Sequence, residues 1–333
     1  MSQVRLGYKA SAEQFDPRTL LEYSVLAEKL GFDSVFISDH LQPWRHSGGH
    51  APFAMSWMGA LGERTDRVLI GTSVLTPTFR YHPAIVAQAF ATLACLNPGR
   101  IVLGVGTGEA LNEVALGTPW PHSKERFARL KEALELIHRL WTEERVTFHG
   151  QFYQTDLATI YDRPEQAVPI YVAAAGPAAA RLAGRVGAGF ICTSGKDPAL
   201  YTDTLLPAVR EGAHNAGRDV AGVDLTIEMK VSFDPDARRA RDDTRHWAAL
   251  ALSAEEKAGL DDPLEMERRA DALSVERAAS RWIVSSDPDE HVAAIRSYMD
   301  LGFTHLVFHA PGPDQARFLH LYSEEILPRL REA

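Results

Sequence analysis

The chain predicts a parallel α/β barrel of the (β/α)8 type, and three observations carry that expectation. Short, largely apolar β-rich runs alternate with amphipathic stretches of helical spacing, the mark of βα units rather than hairpins. The apolar runs number close to eight. The 333 residues exceed the roughly 250 of a typical barrel by an amount that insertions would fill. Residues 1–333 are therefore expected to form one enlarged domain.

In chain order the expected strands are Val4 to Tyr8, Ser34 to Ser38, Val68 to Ser73, Ile101 to Gly104, Ile170 to Ala173, Gly189 to Thr193, Leu225 to Val231 and Thr304 to His309. Each is short and apolar, as strands covered on both faces should be. Helices are expected over Asp16 to Leu30, Pro83 to Cys95, Ser123 to Trp141, Pro177 to Val186 and Asp287 to Leu301. Ser123-Lys124-Glu125-Arg126 opens a segment in which Phe127, Leu130, Leu134, Ile137 and Leu140 repeat at helical spacing. Asp287-Pro288 joins an N-cap acid to a proline at the first helical position. Phe148 to Tyr153 reads as a small hairpin insertion. A second insertion, about Asp236 to Arg281, is polar and helix-like, and most of its charges should face solvent.

Composition narrows the partners. Hydrophobic residues make up 45% and charged residues 24%, the balance of an ordinary globular chain with a large core. With 35 Lys and Arg against 44 Asp and Glu, the net charge of −9 opposes attraction to nucleic acid or an anionic membrane. No stretch approaches ~18 uninterrupted apolar residues, and Met1 to Tyr8 has no basic run leading into a long apolar one. Neither export nor membrane insertion is expected. Cys95 and Cys192, far apart and each beside apolar residues, suit a core better than a bridge, and a reducing cytoplasm fits them. The thirteen histidines fall in no HExxH pattern, and the chain has no CxxC, GxSxG or Walker-type motif. No metal is expected, and hydrolysis through a covalent intermediate is disfavoured.

A barrel gathers the ends of its strands on one rim, so residues there are the candidates for chemistry. The run Ser38-Asp39-His40-Leu41-Gln42-Pro43-Trp44 leaves an apolar strand with an acid, an imidazole and an indole. His40 and Trp44 either pack an ordinary loop or serve to deprotonate an alcohol beside a planar ligand. Glycine and small residues mark Gly71 to Pro77, Gly104 to Asn112 and Ala173 to Pro177; they suit either an unusual turn or close approach of a ligand. Glu109 is either a proton-exchanging carboxyl or a helix-capping, ion-paired one. Ile191 to Lys196 ends in a hydroxyl, a glycine and an ammonium, a set suited to phosphate, to which Lys257 and Arg281 would add charge. Each cation taken alone is more often an ordinary surface residue, so their meaning rests on convergence.

Together these motifs resemble the luciferase-like deazaflavin oxidoreductases, and within them the coenzyme F420-dependent glucose-6-phosphate dehydrogenases. The likeness runs through Leu6 to Phe15, Ser38 to His40, Gln42 to His46, Gly71 to Tyr81, Gly104 to Glu113, Phe190 to Lys196 and Leu306 to Gly312. It implies a luciferase-like barrel in which Asp39, Thr76, Thr107, Gly108, Asn112, Ala175, Gly176, Ala178 and Ala179 line the F420 site. It also implies a cis bond between Ser73 and Val74. Thr193, Lys196, Lys257 and Arg281 would hold the phosphate of glucose 6-phosphate or a related sugar phosphate. His40 would take the C1 hydroxyl proton and Trp44 would stabilise the reacting species. Glu109, or in its place Glu13, would handle the proton at N1 of the reduced cofactor, and the assembly would be a homodimer. Three departures bear on the pockets: Ala175-Gly176 stands where close relatives have a glycine pair, Ala258 where they have histidine, and the loop Gly117 to Pro121 is shorter.

Overall fold

The computed structural model describes residues 4–332. Its strands are β1 (Arg5–Ala10), β2 (Ser34–Ile37), β3 (Leu69–Thr72), β4 (Ile101–Val105), β5 (Val146–His149), β6 (Gln154–Ala158), β7 (Ile170–Ala173), β8 (Gly189–Thr193), β9 (Asp224–Phe233), β10 (Ile283–Ser285) and β11 (His305–His309). Eight of them close a parallel ring in the order β1, β2, β3, β4, β7, β8, β9, β11, with β11 returning to β1. All eight expected strands are present, with ends shifted by up to two residues. The antiparallel pair β5–β6 brackets Phe148 to Tyr153, so that segment is the end and turn of a longer hairpin. β10 adds to β9 outside the ring, and its three residues are too short to carry a readable pattern.

Helix starts follow local chemistry. The Asp16 side chain accepts hydrogen bonds from the amides of Arg18 and Thr19 at 3.0 and 3.2 Å, ahead of Pro17–Lys29. Asp287 does the same for Asp289 and Glu290 ahead of Pro288–Asp300. Such caps stabilise a helix by roughly 1 kcal/mol each. The helix Ser123–Thr142 is preceded by His122, which makes no side-chain cap, so Ser123 is its first residue rather than its cap. The second insertion folds as short helices, among them Ala237–Asp242, Pro263–Asp271 and Val275–Ala279.

Outward-facing strand residues such as Leu6, Tyr8, Val35 and Ile70 pack with Leu20, Phe90 and Leu136 of the surrounding helices into the main core. Inward-facing residues fill the ring in layers. At the bottom, Asp224 meets Arg5, the Tyr171 hydroxyl at 2.6 Å, the Thr304 hydroxyl at 2.6 Å and the His305 ring at 3.4 Å. Above it Phe36, Val102, Tyr171, Ile191 and Val307 form an apolar plug. Gly71 makes room for it, since a Cβ there would stand 2.7 Å from the Phe36 ring. The next inward positions open into the cavity described below. Cys192 is buried, but Cys95 is exposed on the last turn of its helix, so the expectation of two core thiols holds for one. Among the described residues no helix is long and apolar enough to cross a membrane.

Candidate active site

A cavity of about 420 Å³ lies over the C-terminal ends of the strands. Ile37 ends β2, and the chain then turns outward to place Asp39, His40 and Trp44 on the cavity wall. Asn112 fixes this turn from β4's loop, its Oδ1 accepting from the amides of Leu41 at 2.7 Å and Gln42 at 3.2 Å. His40 Nε2 meets Glu13 Oε1 at 3.0 Å, and Nδ1 lies 3.3 Å from the Gln42 carbonyl. Burial alone would lower the His40 pKa, but the Glu13 carboxylate outweighs it and raises it to about 9. Glu13 is correspondingly held below its usual range: burial opposes this, and the His40 charge prevails. Glu13 is thus the partner of His40, while Glu109 faces elsewhere and accepts from Trp44 Nε1 at 3.0 Å.

Arg80 braces the same wall from within. Its guanidinium pairs with Asp39 and donates to Glu113 at 2.8 Å, and the Tyr81 hydroxyl donates to Asp39 at 3.2 Å. The neighbouring wall is built from small or flat groups: Val74 and Thr76 after β3, Gly106 to Gly108 after β4, and Ala173 to Ala175 after β7. The Ser73–Val74 bond is cis. Gly106 keeps this wall thin, since a Cβ there would stand 2.7 Å from Val74, and Gly108 has φ +85, a conformation that side chains disfavour. Gly176, Ala178 and Ala179 start the helix Pro177–Val186 just beyond the lining, and a Cβ on Gly176 would meet nothing within 4 Å.

Opposite lies a set of cations. Thr193 and Lys196 come from the end of β8, while Lys257 and Arg281 come from the second insertion, and all four line the cavity. Lys257 Nζ sits 4.5 Å from the centroid of the Trp44 ring, a cation–π contact. Burial draws Lys257 down to about 8, with Glu109 opposing and Arg281, Lys196 and Lys230 adding to the shift. Lys196 is lowered by burial and by Arg281. Arg281 makes only long contacts to the carbonyls of Leu250 and Ser194, at 3.3 and 3.5 Å, and its buried Nε has no partner. Clustered, desolvated cations with open donors are what an anion would satisfy.

The fold therefore brings all of the predicted catalytic and phosphate-site residues into one cavity, with most of the predicted cofactor positions along one wall. Sequence reasoning missed Lys9, Arg80, Glu228, Lys230, Trp247 and His309, which also line it. Glu228 and Lys230 were legible in principle, because Asp224, Thr226, Glu228, Lys230 and Ser232 alternate with apolar residues along one strand, and that polar face must line the inside of the ring.

A family model described as Luciferase-like monooxygenase matches residues 1–305. Over 328 residues the chain is 69% identical to an F420-dependent glucose-6-phosphate dehydrogenase of Nakamurella multipartita, covering 98% of this chain and 97% of that protein. It is 68% identical to the protein of the same name from Beutenbergia cavernae, covering 98% of each. A solved F420-dependent secondary alcohol dehydrogenase, in complex with an F420–acetone adduct, superposes with a TM-score of 0.93 at 34% identity over 99% of both chains.

Proposed function

Because this chain belongs to the luciferase-like monooxygenase family, we propose that it is an F420-dependent glucose-6-phosphate dehydrogenase acting as a single 1–333 domain. The overall change removes a hydride from C1 of D-glucose 6-phosphate and a proton from its hydroxyl, giving 6-phosphogluconolactone and reduced F420. The observation that carries the proposal is one cavity with a paired base at one side and clustered cations without an acidic partner in contact at the other.

The residues present fit a deazaflavin. The thin wall from Val74 across Gly106 to Ala175 accepts a flat ring, with Asp39, Thr76, Thr107, Gly108 and Asn112 at its edge. The exposed start of Pro177–Val186, at Gly176, Ala178 and Ala179, suits the cofactor's phosphate. When bound, the deazaflavin supplies a hydride acceptor at carbon 5. Thr193, Lys196, Lys257 and Arg281 hold the sugar phosphate and fix how far C1 reaches. His40 takes the C1 hydroxyl proton, for which the substrate must compete with Glu13 at Nε2. Trp44 carries its indole between Lys257 and Glu109, so it ties the phosphate site to the acid that exchanges the proton at N1. The two unbridged thiols support a cytoplasmic setting, and the family resemblance supports a homodimer.

The test is loss of the oxidised deazaflavin's visible absorbance when glucose 6-phosphate is added to purified protein, with FMN and NADP as parallel acceptors. Reduction of the deazaflavin alone is expected. Binding of the deazaflavin without reduction would overturn the sugar-phosphate assignment.

A further inference from the structure

Around the ring, the proposed deazaflavin wall occupies the ends of β3, β4 and β7, and the cations begin at β8. Glu13, which meets the base His40, follows β1. On the side of the ring away from that wall, the ends of β9 and β11 lie between the cation-bearing end of β8 and the base. The side chains there have no role in the chemistry described so far.

Most of them satisfy one another. Glu228 lies 3.1 Å from Lys9 Nζ, accepts from the Ser73 hydroxyl at 3.0 Å and stands 3.8 Å from Lys230. His309, registered opposite Lys230, does not. It is 3% exposed and lines the cavity, yet neither ring nitrogen has a hydrogen-bond partner among the described residues. Glu228 stands 3.8 Å from Nδ1, beyond hydrogen-bond reach. The ring is held edge-to-face by Trp247 and Trp282, with centroids at 4.6 and 5.2 Å. Burial, with Lys230 and Lys9 adding and Glu228 and Glu13 opposing, lowers its pKa to about 3. A neutral imidazole offers one donor and one acceptor, the complement of an alcohol.

We propose that His309 is a specificity-determining residue that hydrogen-bonds a ring hydroxyl of the sugar between the phosphate and C1. The inference rests on the sugar-phosphate reading of the site. It explains how the cavity would separate a polyhydroxylated substrate from a simple alcohol, because an analogue lacking that hydroxyl leaves a buried ring nitrogen unmet.

The test compares wild type, His309→Phe and His309→Gln on glucose 6-phosphate and its 2-, 3- and 4-deoxy analogues, following deazaflavin absorbance. Wild type should lose on the order of tenfold to a hundredfold in kcat/KM on one analogue. His309→Phe should lose a similar factor on glucose 6-phosphate but show no further loss on that analogue, and His309→Gln should keep part of the discrimination. Deazaflavin affinity and the unfolding midpoint should stay near wild type in His309→Gln, which carries the test if the phenylalanine variant fails to fold. Equal deoxy penalties in wild type and variants, or none in wild type, overturn the inference while leaving the dehydrogenase standing. A wild type that reduces no deazaflavin with glucose 6-phosphate overturns both.

Discussion

Replacing Glu13 by glutamine removes the charge that keeps His40 protonated while preserving the size of the side chain. With the His40 pKa at about 9, only about one imidazole in a hundred is free to accept a proton at pH 7, and about one in ten at pH 8. The kcat/KM of the wild type, which reports the free enzyme, should therefore rise about tenfold per pH unit below about pH 8. A falling limb joins it, because Lys257, drawn to about 8 mainly by burial, loses the charge that attracts phosphate. In Glu13→Gln the main raising charge is gone while burial remains, so the imidazole falls to its ordinary value of about 6.5 or below, a difference worth at least about 3 kcal/mol. Its rising limb should move below pH 7, the falling limb should stay, and the plateau should drop on the order of tenfold because the freed imidazole is a weaker base. Absorbance-monitored turnover from pH 6 to 9.5 at saturating deazaflavin measures both limbs. A wild-type kcat/KM that is flat from pH 6.5 to 8, or a variant profile that overlays it, refutes the assignment of the base to this pair.

Three further outcomes follow from contacts described above. Lys196→Ala should raise the KM for glucose 6-phosphate by about tenfold to a hundredfold, the worth of one charge-assisted contact, with deazaflavin affinity unchanged by fluorescence titration. Arg80→Met strands the buried carboxyls of Asp39 and Glu113, and should cost about 3–5 kcal/mol in chemical denaturation as well as weakening deazaflavin binding. Asp224→Asn should cost about 2–3 kcal/mol at pH 7, less than a fully buried pair because Arg5 is partly exposed. Burial would raise the Asp224 pKa, but His305, Thr304 and Tyr171 hold it well below the usual carboxylate range. Its contribution is therefore complete above about pH 4 and vanishes on acidification, and so should the difference between variant and wild type.

The barrel was legible because its inner strands must be apolar and its helices carry local caps, and neither signal depends on distant residues. Asp16 and Asp287 announce their helices within four residues of sequence. The hairpin strands were misplaced around their turn because β6 is largely exposed, so burial imposes no strict alternation on it. At the site, His40 and Glu109 stood out as polar residues directly after apolar strands. The pairing of Glu13 with His40 did not, since β1 and β2 carry them to one point only when the ring closes. Lys257 and Arg281 look like surface charges in a charged insertion, and only folding turns them toward Lys196. Arg80 lacked any local mark, since it acts through buried carboxyls, whereas His309 carries the same mark as His40, an imidazole at the end of an apolar strand.

Lys196, Lys230, Lys257 and Arg281 converge inside a chain whose net charge is −9. A phosphate ester approaching from afar meets a repelling field and feels the pocket's attraction only within about a Debye length, roughly 8–10 Å at physiological salt. Modest added salt screens the distant repulsion before it weakens the close contacts, so capture of the substrate speeds up before it slows. A long polyanion cannot use this arrangement, because most of its charge stays against the acidic exterior while only a short stretch reaches the cavity. The same inversion of sign between surface and pocket thus acts as a size filter for anions.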